Sequence, residues 1–398
     1  MWKMHFSVSD HVTWVGKTDW ELQTFHGEEL STFKGSTYNA YLIQDEKTAL
    51  VDTVWTPFAR QFVEDLKETI DLDEIDYVVA LHAEPDHSGG LIELMREIPD
   101  VPIYCTSMAA RFLRAQYHQD WNFVEVKTGD TLSLGKQELV FVEAKMLHWP
   151  DNLLAYLTGD QILFSSDAFG QHYSSEVLFN DLVDQGELYR EALKYYANIL
   201  TPFSKMVTRK IDEVLEMELP LKMICPSHGV IWREDPAQII ETYARWADDY
   251  QEDQVAIVYD TMWDSTGRMA AMISDGIRAV DPTLTIKHLH TAKRDKNDII
   301  AEVFRSKAIL VGSSTVNRGV LSSISAILSL IEEMGFKKKK ASAFGSYGWS
   351  GEAPGLIRET LEDAGFEILI PELREAWTPD AEGRDRCRTF GRDFARQL

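Results

Sequence analysis

The sequence predicts an α/β protein in two parts: a mixed strand-and-helix domain over residues 1–251 and a doubly wound parallel sheet over 252–398. Three observations carry this. From Gln254 onward, five apolar strand-like runs alternate with five helical ones, the beat of a parallel sheet covered on both faces. Before that point hairpins and helices mix, and apolar runs repeatedly break into polar turns. Nine of the 11 histidines (His5, His11, His26, His82, His87, His118, His148, His172 and His228) precede residue 251, and only His288 and His290 follow it. The two parts, joined by the polar stretch QEDQ at 251–254, are therefore expected to do different chemistry.

In the first part, His11–Gly16 reads as a strand, and YNAYLIQ with TALVDT as a hairpin about Asp45–Lys47. Phe58, Phe62, Leu66 and Ile70 recur at helical spacing, with Thr56 as the expected cap before Pro57. Tyr77–Leu81 is a short apolar strand running straight into HAEPDHSGG. Helix 89–97, strand 102–105, helix 107–119 and strands near 123–127 and 139–144 follow. LAYLTGDQILFSSDAFG is a second hairpin; helices over Glu187–Leu200 and Phe203–Glu218 come next, then strand 221–225 ending in CPSHG and helix 236–250. In the second part, strands at about 255–259, 284–289, 307–312, 341–345 and 366–370 alternate with helices at about 266–280, 295–305, 320–334, 352–364 and 380–396. The run Lys337–Lys340 is expected to be a solvated turn before the fourth strand.

Composition excludes several classes. Hydrophobic residues at 44% and charged residues at 26% are those of a globular protein, and 398 residues suffice for two or three domains. A net charge of −24 argues against nucleic-acid or anionic-membrane binding, which need basic surface. No stretch approaches the roughly 20 apolar residues of a membrane span, and MWKMHFSVSDH has no secretory-signal pattern. Cys105, Cys225 and Cys387 form no CxxC pair, which excludes a disulfide framework, a zinc ribbon and a four-cysteine iron centre, and predicts the reducing cytoplasm.

His82, Glu84, Asp86 and His87 place four potential ligands in six residues directly after an apolar strand. His148 in MLHWPD, Asp167 in LFSSDAFG and His228 in CPSHG also sit where an apolar strand breaks into a polar turn. Any one of them alone would be an ordinary hydrogen-bonded pair at a strand end, but the whole set at strand ends points to a site. Imidazole and carboxylate donors without thiolate suit iron, zinc or manganese. Seven ligands exceed the need of one four-coordinate ion, so two metals are expected, with Asp167 as the shared carboxylate.

In the second part, the first strand ends in Asp260-Thr261-Met262-Trp263-Asp264-Ser265-Thr266 before a helix, an arrangement of hydroxyls and free N–H groups suited to phosphate. Neither GxGxxG nor GxxxxGK[ST] is present, which disfavours a dinucleotide fold or an NTPase. Ser313-Ser314-Thr315-Val316-Asn317-Arg318-Gly319 and Ser346-Tyr347-Gly348-Trp349-Ser350-Gly351 follow the third and fourth strands. Their small residues let backbone approach a flat ring on which Tyr347 or Trp349 can stack. The first turn resembles the flavodoxin phosphate loop, with Thr261, Met262, Trp263, Ser265 and Thr266 as the expected phosphate contacts and Asp264 required to point away. The two later loops resemble those that hold the flavin ring.

The ligand pattern as a whole resembles the metallo-β-lactamase fold, with Glu84 in place of the second histidine of HxHxDH. That exchange, together with STYNAYLI, DAFGQH and YYANI, makes the chain similar to the flavodiiron proteins, or A-type flavoproteins. VKTGDTLSLG, YYANILTPFS and RDKNDIIAEVFRSK place it near the core of bacterial flavorubredoxins. The resemblance implies an αββα metallo-β-lactamase-like domain followed by a flavodoxin-like FMN domain. It implies His82, Glu84, His148 and Asp167 on one non-haem iron, and Asp86, His87, Asp167 and His228 on the other, with an oxo or hydroxo bridge between them. It also places His26, His172 and Tyr196 beside the diiron pocket as proton donors or hydrogen-bond partners. The implied reaction is reduction of nitric oxide to nitrous oxide or of dioxygen to water, with nitric oxide favoured. The implied assembly is a head-to-tail homodimer or a dimer of dimers. A relative of this kind continues into a rubredoxin module, so a separate electron donor is expected here, rubredoxin or else a reduced deazaflavin.

The competing class is a metallo-β-lactamase-like zinc hydrolase fused to a flavodoxin module. Glu84 argues against it, since an added hard oxygen ligand favours iron redox chemistry over hydrolysis by zinc.

Overall fold

The computed structural model describes residues 6–398, so His5 lies outside the described residues. The chain forms two compact units. One holds the residues up to Tyr195 with Phe203–Ala244, and the other holds Tyr196–Pro202 with Arg245–Leu398.

The first unit is a sandwich of a seven-stranded and a five-stranded sheet. The hairpin about Asp45–Lys47 pairs Tyr41–Gln44 with Thr48–Val51, and Val51 continues in parallel register beside Val79. In the second sheet Leu153–Leu157 pairs antiparallel with Ile162–Phe164, which runs parallel to Met223–Cys225. Between the sheets, Trp14, Tyr41, Ile43, Val51 and Val79 meet Leu139, Phe141, Leu153, Ala155 and Phe164, all essentially buried. Alternate residues Leu42, Leu50 and Val78 are also fully buried, as expected of strands covered on both faces. The strands therefore read as continuous apolar runs that end abruptly where side chains of the site begin.

Three local expectations change. The turn at Thr56–Phe58 is capped at Trp55 without a side-chain hydrogen bond, so Thr56 is its first residue and not its cap. Pro57, at an early helical position, has no N–H to satisfy there. The helix expected to reach Leu200 is α-helical only over Gln185–Tyr195 and widens into a π turn at Tyr196–Leu200. Pro202 lacks an N–H and its ring crowds the carbonyl four residues back, so a regular helix cannot run through it. Lys339 is not a solvated turn residue: it is 3% exposed, and its ammonium donates to the carbonyls of Phe304 and Ser306 at 2.7 Å and Tyr250 at 3.2 Å.

The second unit is a parallel sheet in the order Thr285–His290, Glu252–Tyr259, Ser306–Gly312, Lys340–Tyr347, Glu367–Ile368. The fifth position is split, because Pro371 interrupts the run and a second segment, Leu373–Ala376, pairs further along the fourth strand. Helices Ser265–Val280 and Ala381–Ala395 cover one face through Met269, Ile273, Ile277, Phe390 and Phe394. They pack closely because Gly276 and Gly391 bring backbone to backbone: a Cβ at either would lie 2.1 Å from a carbonyl oxygen of the other helix. The 2-1-3-4-5 order sets the first and third strands side by side, and the loops leaving their carboxyl ends diverge to form a crevice. Among the described residues no helix is long and apolar enough to cross a membrane.

Candidate metal centre and flavin cleft

The metal-ligand candidates come from four segments that follow strands, and they converge in the first unit. His82 is fully buried at the end of the strand Tyr77–Val79, and Glu84 caps the short helix Pro85–Ser88 that carries Asp86 and His87. The polar groups could not be buried without partners, and they have them in a definite order. His82 Nε2 lies 3.2 Å from Glu84 Oε2 and 3.7 Å from Asp167 Oδ2, while His148 Nε2 lies 3.6 and 3.7 Å from the same two oxygens. On the other side, His87 Nε2 is 3.5 Å from Asp86 Oδ2 and 3.1 Å from Asp167 Oδ1, and His228 Nε2 is 3.0 and 3.4 Å from those oxygens. Asp167 thus turns one oxygen to each group. Ligand atoms of His82, Glu84 and His148, and of Asp86, His87 and His228, lie within 4.8 Å of one another in each triplet.

For His82, His87 and His228 the inward-facing Nε2 is aimed by what holds the opposite nitrogen. His82 Nδ1 is 3.0 Å from Asp151 Oδ2, which also accepts the Ala83 N–H at 2.8 Å. His228 Nδ1 donates to the Thr37 carbonyl at 2.7 Å. His87 Nδ1 lies 3.4 Å from Asp52 Oδ2, which also accepts from Ser227 Oγ at 3.1 Å, while Asp52 Oδ1 accepts the Leu81 N–H at 2.7 Å. One buried carboxylate therefore braces both ends of the His82–His87 segment and the loop that carries His228. Such partners fix tautomer and ring orientation for metal binding. The sequence reading missed Asp52, Asp151 and Thr37; the only signal for the two acids was their place where apolar runs break.

Charges in the pocket are strongly coupled. Burial alone would lower His82, but its bonds to Asp151 and Glu84 and the charge of Asp167 raise it to about 10. His228 is raised to about 9 against its burial by bonds to Asp167 and Asp86. Burial opposes ionisation of Asp167, yet the His87 and His228 imidazoles hold it well below the usual carboxylate range. Protonated imidazoles here take the place of the positive charge that the carboxylates are built to face. Among the described residues Asp86 Oδ1 is buried with no hydrogen-bond partner. An all-nitrogen-and-oxygen donor set, split in two by a bridging carboxylate and with a buried carboxylate oxygen left unpartnered, fits a pair of irons.

Around this set, His26 Nε2 reaches Glu84 Oε1 at 2.7 Å, and His172 Nδ1 pairs with Ser36 Oγ at 3.0 Å. The His172 ring stands 5.5 Å from that of His228, and burial together with the neighbouring His228 charge pushes its pKa well down. Tyr196 is not beside the cluster: its ring packs on Trp246 and Phe304 in the second unit. Tyr195 takes that place, its hydroxyl donating to Asp167 Oδ1 at 3.2 Å. The two residues lie on either side of the change from α to π geometry, which a helical reading through Leu200 cannot detect.

In the second unit, Thr266 Oγ1 bonds Ser314 Oγ at 3.0 Å and Ser346 Oγ at 2.8 Å, so three buried hydroxyls knit the three loops together. Ser313 Oγ accepts the Leu321 N–H at 3.0 Å, and Thr315 N–H donates to the Ser346 carbonyl at 2.9 Å. In the first loop Asp264 is left-handed at φ 66°, makes no side-chain cap to the helix and pairs its carboxylate with Arg268 at 3.3 Å. Ser265 Oγ bonds Thr378 Oγ1 at 3.0 Å, whereas Thr261 Oγ1 is buried without a partner among the described residues. Met262 and Trp263 are exposed. A cleft of about 290 Å³ opens between Thr315, Asn317, Arg318, Gly348, Trp349 and Ser350. Gly351 brings the loop back onto the Tyr347 ring, whereas Trp349 is 91% exposed at the cleft. An unpartnered hydroxyl in the loop leading into a 16-residue helix and a cleft edged by a free indole fit a flavin phosphate and ring.

Comparison with known proteins agrees with both halves. Residues 37–229 match the ODP family beta lactamase model and residues 257–391 the flavodoxin model. The anaerobic nitric oxide reductase flavorubredoxin of Klebsiella pneumoniae subsp. pneumoniae is 52% identical over 99% of this chain and 82% of its own. Two solved structures superpose along almost the whole length. They are rubredoxin oxygen:oxidoreductase from Desulfovibrio gigas (TM-score 0.95, 32% identity, 99% of this chain and 98% of that one) and the flavodiiron protein from Giardia intestinalis (TM-score 0.93, 31% identity, 100% and 97%). With a metallo-β-lactamase-like unit that gathers seven ligands about Asp167 and a flavodoxin-like unit that opens a ring-sized cleft, this chain belongs to the flavodiiron proteins.

Proposed function

We propose that this chain is a flavodiiron oxidoreductase that reduces nitric oxide to nitrous oxide, and dioxygen to water, using FMN and a non-haem diiron site. The observation that carries this reading is Asp167, whose two oxygens face two separate ligand groups while Glu84 adds a hard donor to one of them. When bound, FMN supplies electrons singly and the irons supply a paired redox site for a small oxidant. The chain's own residues do the rest. His82, Glu84 and His148 would hold one metal, and Asp86, His87 and His228 the other. Tyr195, whose hydroxyl burial and the Asp167 charge keep protonated, donates a hydrogen bond to the bridging carboxylate. His26 meets Glu84 Oε1 at the partly exposed rim; burial works against its protonation, but the bond to Glu84 together with the charges of Glu84, Asp86 and Asp167 raises its pKa, which suits it to deliver a proton there. The buried anchors Asp52 and Asp151 keep the imidazoles in place without rearrangement during turnover.

Preference for nitric oxide is supported by the identity to the Klebsiella protein, and activity on dioxygen by the Desulfovibrio one. The latter's name also supports rubredoxin as a separate donor. Head-to-tail dimers, or dimers of these, and a reducing cytoplasmic setting complete the reading. The second is supported by three buried free cysteines, whose thiols at Cys105 and Cys225 burial keeps protonated.

The test is anaerobic purification with metal and flavin analysis, followed by chemical reduction and exposure to each gas. Two irons and one FMN per chain are expected, with nitric oxide consumed faster than dioxygen. Zinc at the site, with hydrolytic turnover and no consumption of either gas, would contradict it.

A further inference from the structure

In the loop after the third strand, Val316 and Gly319 exchange two backbone hydrogen bonds at 3.1 and 2.7 Å around Asn317 and Arg318. Such a two-residue hairpin needs positive φ at both central positions, and they stand at 49° and 61°. Asparagine tolerates this conformation, but arginine has a Cβ and no short side-chain acceptor to relieve it, so glycine is the ordinary choice for the second position. A residue kept in a strained conformation calls for a reason outside the turn.

No partner within the unit supplies that reason. Arg318 is exposed and, among the described residues, makes no side-chain hydrogen bond or ion pair. Other arginines of the same unit do find carboxylates: Arg268 pairs with Asp264 at 3.3 Å, Arg374 with Glu372 at 2.7 Å, and Arg386 with Glu375 at 2.7 Å. What Arg318 does have is the cleft, which it lines together with Thr315, Asn317 and Trp349.

We propose that Arg318 is the charge partner of the flavin ring, a guanidinium set at the ring cleft to favour the reduced, anionic flavin. This inference rests on the flavin reading above. Oxidised flavin is neutral at the ring; taking up two electrons from the external donor and one proton from solvent leaves it with one negative charge. A fixed cation beside the ring stabilises that product and leaves the oxidised form untouched, so the reduction potential rises. Arginine suits the position because its charge persists at every working pH and its planar group can lie flat against a ring or its carbonyl edge. Being exposed, the charge acts through partly screened solvent, and its effect weakens as salt is added.

The test is a spectroelectrochemical titration of the FMN-loaded protein and its Arg318→Lys, Arg318→Gln and Arg318→Glu variants. Arg318→Gln is expected to shift the two-electron equilibrium about tenfold towards the oxidised form, a fall of about 30 mV. Arg318→Glu falls further, and Arg318→Lys stays near the parent. The shift shrinks in high salt. Arg318→Gly adds an independent arm: relief of the turn raises Tm while the potential falls as it does for glutamine. Potentials that ignore the charge series, or a glycine variant with raised Tm and the parent potential, overturn the proposal and leave Arg318 a turn residue. Parent protein that binds no FMN would instead overturn the flavin reading from which the proposal starts.

Discussion

The two candidate sites are built in opposite ways. The ligand cluster of the first unit is buried, and each imidazole of His82, His87 and His228 is aimed by a group on its far side. The cleft of the second unit lies open on loops, with Trp349 91% exposed and strained backbone at Asn317 and Arg318. The difference teaches where each site keeps its organisation. The first holds it in hydrogen bonds between distant segments, so single changes there should propagate. The second holds it in turn geometry and a few serine bridges beneath the loops, so side chains at its rim should be exchangeable one at a time.

The most severe way to break this contrast is Asp167→Ala. Removing the one carboxylate that serves both groups should bring iron content and gas reduction to background while FMN stays bound. Metal analysis with the flavin absorbance checks this, and loss of both together would mean misfolding instead. Next come the anchors. Asp52→Asn and Asp151→Asn should each weaken metal affinity by roughly 10–100-fold, read by competition with a chelator, and neither should move the affinity for FMN.

Metal uptake should also be coupled to protons. His82 and His228, raised to about 10 and about 9, carry protons at neutral pH that a metal must displace. Iron affinity should therefore climb from pH 6 to 9, with protons released into buffer; calorimetry in buffers of different ionisation enthalpy measures this, and uptake without release would contradict it. The metal-free protein gives the matching sign in stability. These raised imidazoles contribute stability that is fully present below about 6.5 and is lost as pH rises through about 9 to 10. The depressed carboxylate of Asp167 contributes stability present above about 4 and lost in acid. Denaturant midpoints across pH follow both arms.

The smallest effect separates neighbours. Tyr195→Phe removes a hydrogen bond to a charged group, worth about 1.5 kcal/mol, and should slow gas reduction about tenfold. Tyr196→Phe should leave turnover unchanged, because that ring packs on Trp246 and Phe304. Steady-state rates of the two variants decide it.

The sequence made the ligands legible because four of them crowd into HAEPDH and the others mark abrupt ends of apolar strands. The parallel sheet was legible too, since its strands and helices alternate without interruption until Pro371 divides the last one. The anchors were hidden for a physical reason: Asp52 meets Ser227 and Thr37 meets His228 across 175 and 191 residues, and no local pattern records such pairings. Tyr195 was hidden by a single residue, because the π turn ahead of Pro202 changes which ring faces the carboxylates. Lys339 was misread because a lysine run looks solvated, whereas three carbonyls draw one of its ammonium groups inside.

The account stands most directly on the division of labour at Asp167. A crystal structure of the iron-loaded protein, with anomalous data on both sides of the iron edge, measures it. The account predicts two iron peaks per chain, one bound through Oδ2 beside His82, Glu84 and His148 and the other through Oδ1 beside Asp86, His87 and His228. A single metal peak, a zinc edge, or both oxygens of Asp167 on one ion would contradict it.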